Sequence, residues 1–170
     1  MTALALLVIF PFAMFYAAAS DLVTMTIANR VSILLALAFP VVAYAAGMAP
    51  GAIGAHLGIG LVCLTVCFGM FAAGWMGGGD AKLLAATAVW FGPTPMLLEY
   101  ILFASIYGGL LTIGLLTIRA FLQPVTGVAF IDRLLERETG IPYGIALGLA
   151  GLTVYSGSVW IDIAARSAPF

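Results

Sequence analysis

Apolar residues fall into six runs, near 3–19, 31–48, 52–74, 80–92, 97–119 and 142–163, each interrupted by proline, glycine or charge. A membrane crossing takes about 20 apolar residues. The pattern therefore predicts an all-α fold, a polytopic membrane protein of about six transmembrane helices forming one domain over 1–170. One longer connection, residues 123–140, breaks the rhythm. Within it "AFIDRLLERETG" brings Phe130, Ile131, Leu134 and Leu135 together at helical spacing, with Asp132, Arg133, Glu136 and Arg137 opposite. That predicts a short helix lying in the membrane interface.

Composition agrees with a lipid solvent: 64% of residues are hydrophobic and 8% charged, and the mean hydropathy is +1.20. With six basic and seven acidic residues the chain has neither a nucleic-acid footprint nor a polybasic lipid-binding patch. Nucleic acid is therefore not an expected partner, whereas the bilayer is. The first run ends in Ala17-x-Ala19, which has the look of a signal-peptidase site. No Lys or Arg precedes it, however, and residues 3–19 are long enough to span, so a retained helix is expected.

Placing alternate loops on alternate sides gathers Arg30, Lys82, Arg119, Arg133 and Arg137 on one face and leaves Arg166 on the other. The positive-inside rule makes the first face cytoplasmic and puts both termini outside. Asp21 and Asp80 then share the cytoplasmic side. Cys63 and Cys67 lie one helical turn apart in an apolar run, a spacing that fits neither a zinc knuckle nor a redox pair. They are expected to pack, and the single histidine, His56, to make an interfacial hydrogen bond. Neither a metal nor another cofactor is implied. Gly54/Gly58 and Gly144/Gly148 offer small-xxx-small faces for helix contact.

The fourth run is short, with about 13 residues between Asp80 and the Gly92-Pro93 turn. Counting back about 20 residues from an outer turn leaves Asp80 roughly 10 Å below the cytoplasmic surface, at 1.5 Å per residue; a thinned bilayer or tilted hairpin would give the same count. In a purely structural role, Asp80 would cap a helix start while Gly77, Gly78 and Gly79 supply turn dihedrals. Asp21 follows the first run, where the helix dipole disfavours an anion. Arg30 or Lys82 could pair with either aspartate. An intramembrane carboxylate costs about 2.5–3.5 kcal/mol on insertion scales, which makes function the default reading.

Two such carboxylates close together would share one proton, because desolvation and repulsion both oppose a second negative charge. The ionised member could deprotonate a water while its protonated neighbour polarises a scissile carbonyl. Glycines at 77–79 would let an extended substrate backbone approach without meeting a Cβ.

"GGGD" at 77–80 fits the GxGD signature of intramembrane aspartyl proteases, and "GWMGGGDAKLLAA" resembles the form found in prepilin peptidases, including the trailing Lys82 and Leu83. "SDLVTMTIANR" places Asp21, Ile27 and Asn29 where that family has its partner aspartate and an Ile-Pro-Asn segment. "GIPYGIALG" resembles its later proline-glycine motif through Pro142, Tyr143 and Gly144. Two departures stand out: Ala28 occupies the place of the usual proline, and Val23 that of a frequent basic residue.

The resemblance implies Asp21 and Asp80 as the catalytic pair. Gly77, Gly78, Gly79, Lys82, Asn29, Pro142, Tyr143 and Gly144 would shape the active site or hold substrate. It further implies an enzyme of the bacterial inner membrane, without a cofactor, whose substrates are prepilins or pseudopilins. The family's full-length members carry a cytoplasmic domain with paired CxxC motifs; this chain has none, and resembles the short form associated with Flp-type, tight-adherence pili. N-methyltransferase activity is accordingly not expected. The residues alone also fit a small transporter or channel that moves a cation or proton over intramembrane aspartates, or a noncatalytic scaffold that would tolerate their loss.

Overall fold

The computed structural model describes residues 2–167, and among these every regular element is an α-helix. They are α1 (Thr2–Thr24), α2 (Asn29–Ala45), α3 (Pro50–Ala72), α4 (Gly78–Phe91), α5 (Pro95–Phe121), α6 (Ala129–Leu135), α7 (Tyr143–Ser156) and α8 (Val159–Ser167). Prolines open α3 and α5 at their first helical position, where the missing N–H has no intrahelical partner to lose. Met25, with φ 57°, turns the chain into the left-handed region and stops α1.

Three helices, α1, α3 and α5, are long and apolar enough to cross a membrane; α7 and α8, bent by 53° at a short break, make a fourth if they are one span. Helices α2 and α4, with 17 and 14 residues, fall short of a full crossing. The expected sixth run over 142–163 is thus two helices, broken at Gly157 and Ser158. The expected short helix appears as α6, which holds all four apolar positions and ends before Glu136 and Arg137, because Glu136 takes an extended backbone, φ −61° and ψ 129°.

The short α4 is the packing centre. Leu83, Ala85, Ala86, Ala88, Val89, Trp90 and Phe91 are all buried, so nearly every face meets another helix. Helix α4 packs most extensively on α3, then on α2 and α7, while α7 lies between α1 and α5. Its alanines allow this close approach. At the end remote from Asp80, Trp90 sits in an aromatic cluster with Phe10, Phe39, Tyr155 and Trp160. The polar edges are satisfied there: Trp90 Nε1 donates to the Leu35 carbonyl at 3.0 Å, and Trp160 Nε1 to the Trp90 carbonyl at 2.8 Å. Outward faces of α3 and α5 instead expose Leu61, Val62, Phe68, Leu98, Leu102 and Ile113. Such a surface suits lipid rather than water.

His56 follows expectation, with Nδ1 2.8 Å from the Val89 carbonyl and its ring stacked on Phe39. The small-residue faces divide. A Cβ at Gly148 would lie 2.7 Å from the Met14 carbonyl oxygen, so α1 and α7 approach closely there. Gly54 and Gly58 face open space; on α3 it is Gly60 that accommodates a neighbour, Val89.

Candidate active site

Asp21 lies in the last turn of α1 and is 5% exposed. The helix therefore runs past Asp21 rather than ending before it. An anion is disfavoured at the C-terminal end of its own helix, but a second helix offsets this. The backbone N–H of Gly144, in the first turn of α7, donates to Asp21 Oδ2 at 2.7 Å. First-turn N–H groups have no partner within their helix, and the positive end of α7 is aimed at the carboxylate. A Cβ at Gly144 would sit 2.8 Å from Asp21 Oδ2, so glycine is what permits the approach.

Asp80 is the third residue of α4, which makes it a first-turn acid rather than the N-cap; the N-cap is Gly77, with φ −71° and ψ 145°. Its carboxylate folds back beside Gly77, where a Cβ would lie 2.7 Å from Asp80 Oδ2. The left-handed residue of this turn is Gly74, with φ 75°, and none of Gly77, Gly78 and Gly79 has positive φ. Their value is spatial. Gly77 leaves room for the carboxylate, Gly78 faces the Phe71 ring, and Gly79 would bring a Cβ to 3.2 Å from Ile27 Cβ.

The segment joining α1 to α2 is tucked between the first turns of α4 and α7, with Ile27 against both Gly79 and Gly144. Ser20 Oγ donates to the Thr26 carbonyl at 2.9 Å, and Thr24 Oγ1 to the Ser20 carbonyl at 2.7 Å, which fixes its path. Ala28 adopts φ −66° and ψ 132°, the dihedrals that a proline would impose. The departure from proline therefore leaves this loop shape attainable. Val23 is not basic, but its carbonyl accepts a hydrogen bond from Arg133 Nη1 at 3.1 Å, which brings a cation from α6 to that place.

Asp21 and Asp80 line one cleft of about 420 Å³, together with Met25, Trp75, Met76 and residues 139–142. They are near enough for the charge on Asp21 to act on Asp80. Among the described residues neither has a cationic partner. Lys82 Nζ donates instead to Asn29 Oδ1 at 3.0 Å, and Arg30 Nη2 to the Tyr16 hydroxyl at 2.7 Å. The expected site residues thus separate into two groups. Gly77, Pro142, Tyr143 and Gly144 border the carboxylates, whereas Lys82 and Asn29 meet each other beside a different groove between α2, α3 and α4.

A second, largely apolar groove of about 630 Å³ continues from Asp80 between α3, α4, α5 and α7. Cys63 and Cys67 lie on its wall, with Met70, Ile101 and Leu147; the two cysteines border open volume as well as packing. Tyr143 lines this groove, its hydroxyl donating to the Ala104 carbonyl at 3.1 Å and its ring filling the space left by Gly108. No group of three or more His, Cys, Asp or Glu among the described residues could hold a metal ion.

Two contributors escaped the sequence reading. Trp75 is 78% exposed and borders both the cleft and the groove; an exposed tryptophan beside the glycine run was the available signal. Arg119, counted only as a positive-inside charge, is 5% exposed. It donates to the carbonyls of Leu134, Thr139 and Gly140 at 2.7, 2.9 and 3.0 Å. Nothing local in the sequence connects it to residues 139 and 140.

No curated protein and no solved structure matches the chain. Residues 8–113, more than half of its length, match the model of the Type IV leader peptidase family. The matched stretch contains both Asp21 and Asp80 and ends before the Pro142 to Gly144 segment.

Proposed function

Because the chain belongs to the type IV leader peptidase family, we propose that it is a membrane-embedded aspartyl endopeptidase that removes the leader of Flp-type prepilins at the cytoplasmic membrane face. The observation that carries this reading is the meeting of Asp21 and Asp80 in one cleft with no cation among the described residues to neutralise them. A structural role would make Asp80 a helix cap or give either carboxylate an ion pair; the N-cap of α4 is Gly77 with no side-chain cap, and neither carboxylate has a cationic partner among the described residues. Two unneutralised carboxylates in a poorly hydrated cleft cost stability, and such sites are typically functional.

The chemistry follows from one proton shared by the pair. One carboxylate, ionised, removes a proton from a water held between the two; its protonated partner donates a hydrogen bond to the scissile carbonyl oxygen. The water oxygen adds to the carbonyl carbon, the tetrahedral intermediate collapses, and the C–N bond breaks as the leaving amine takes a proton from the dyad. The Gly144 N–H holds Asp21, and Gly77 leaves room for the Asp80 carboxylate to turn. Neither a cofactor nor N-methylation has a part in this scheme.

The apolar groove that continues from Asp80 receives the hydrophobic segment of the prepilin, with Tyr143 on its wall and Trp75 at the junction where the substrate leaves helical form. Gly78 and Gly79 hold α4 close to Phe71 and Ile27, and Lys82 with Asn29 fastens α4 to α2. Pro142 sets the start of α7. The topology that suits this function has six membrane segments, the short α2 and α4 included, with both termini outside the inner membrane and the carboxylates towards the cytoplasm.

Co-expression with candidate prepilins, scored by the intact mass of the mature pilin N-terminus, tests the proposal. A leader-free, unmethylated product that depends on this chain is expected. Failure to process any Flp-type prepilin by a well-inserted protein would overturn it.

A further inference from the structure

Residues 122–144 run from the end of α5, through α6, to the start of α7 and form one wall of the aspartate cleft through Thr139, Gly140, Ile141 and Pro142. Three side chains fasten this strap. Asp132 accepts from the Thr126 N–H and hydroxyl, both at 2.7 Å, and from the Gly127 N–H at 3.1 Å, which closes the turn that leads into α6. Arg133 ties α6 to the end of α1 through the Val23 carbonyl. Arg119 binds both ends of the segment that follows α6, through Leu134 on one side and Thr139 and Gly140 on the other.

We infer that Arg119 is a positioning residue for the reaction: its buried guanidinium fixes the strap so that the Gly144 N–H meets the Asp21 carboxylate. The inference rests on the aspartyl peptidase reading given above. Arg119 lines neither the cleft nor the groove, and its three hydrogen bonds go to main-chain carbonyls. It therefore acts through the backbone. Gly144 lies four positions beyond Gly140, with Pro142 between them, whose ring restricts φ, so a shift of the Gly140 carbonyl is passed on rather than absorbed. The planar guanidinium fork presents several donors in fixed directions, a geometry that an ammonium group reproduces only in part. A cation also suits the C-terminal turn of α5, where Arg119 lies.

The test compares wild type with Arg119→Lys and Arg119→Gln, purified in detergent and assayed for cleavage of a prepilin that the wild type processes. Arg119→Gln is expected to lower kcat about tenfold or more, since a misplacement of about 1 Å can cost about a hundredfold, while KM stays within about threefold. Arg119→Lys should recover part of the loss. Hydrogen exchange across residues 137–147 should quicken in the same order, with the aromatic cluster around Trp90 unchanged. Wild-type kcat in Arg119→Gln overturns the inference, as does a lower kcat with no change in exchange over 137–147. If Arg119→Gln fails to accumulate, the same two readouts on Arg119→Lys decide. Asp21→Asn and Asp80→Asn run alongside separate the two claims: inactive aspartate variants beside a fully active Arg119→Gln reject only the role of Arg119, and active aspartate variants reject the peptidase mechanism itself.

Discussion

Gly144→Ala is a sharp test of how the site is built. The added Cβ would lie 2.8 Å from Asp21 Oδ2, 2.8 Å from Ile27 Cδ1 and 2.9 Å from Asp21 Cβ. Optimal carbon contacts lie at about 3.5–4.0 Å, so the first turn of α7 and the Asp21 carboxylate must part by roughly 0.7 Å or more. Ile27 Cδ1 is the end of a flexible side chain and can move, but Asp21 Cβ is fixed to α1. The cost falls on the 2.7 Å hydrogen bond from the Gly144 N–H to Oδ2. A hydrogen bond to a charged group is worth about 1.5–3 kcal/mol, and forced overpacking costs about 1–3 kcal/mol. If most of the lost hydrogen bond bears on the reacting geometry, cleavage should slow about 10- to 100-fold. The assay is single-turnover leader cleavage in detergent, normalised to folded protein, with a thermal melt of the same sample. A wild-type cleavage rate in a variant whose melt confirms the strained packing would refute the assignment of Gly144 as the group that holds Asp21.

Other expectations follow from single contacts. Ala28→Pro should stabilise the protein by about 0.4–1 kcal/mol and leave cleavage intact, because Ala28 already has proline dihedrals; thermal unfolding with and without the change measures it. Trp90→Ala removes a fully packed ring and its Nε1 hydrogen bond to the Leu35 carbonyl and should cost about 3–5 kcal/mol, read as a large fall in melting temperature and in membrane abundance. Asp132 titrates below its ordinary value of 3.8 because the Thr126 hydroxyl and N–H donate to its carboxylate. A depressed carboxylate contributes stability that is complete above the unfolded value and is lost as pH falls through the lower folded value. Proteolytic nicking at Thr126 and Gly127 should therefore rise below about pH 4 in wild type, and be high and insensitive to pH over that range in Asp132→Asn.

The helices were legible because proline, glycine and charge punctuate the apolar runs, as Pro50 and Pro95 do at the starts of α3 and α5. What hydropathy misses is direction. The run over 142–163 stays apolar through Gly157 and Ser158, so its 53° bend left no trace in the pattern. The end of α1 was placed too early because Asp21 looks like a boundary; in the fold the helix continues for one more turn, and α7 supplies the N–H that its carboxylate needs. The glycine run was visible in the sequence, but the space each glycine makes was not. None of its three members needs a left-handed turn, and each instead makes room for a particular neighbour.

Lys82 and Asn29 show the same limit, since adjacency in the sequence to Asp80 and to the first loop said nothing about which face of α4 and of α2 they would take. Arg119 was the least legible of all. Its partners lie 15, 20 and 21 residues along the chain and are main-chain carbonyls, which carry no sequence signature.

The central claim is that Asp21 and Asp80 form one catalytic pair. Its most direct test is the intact mass of a prepilin incubated with equal amounts of folded wild type, Asp21→Asn and Asp80→Asn. The amide preserves side-chain size but cannot act as the base or share the proton, so each single variant is expected to leave the leader uncleaved while the protein remains inserted and as heat-stable as wild type. Complete leader removal by a stable Asp80→Asn or Asp21→Asn protein would contradict the account.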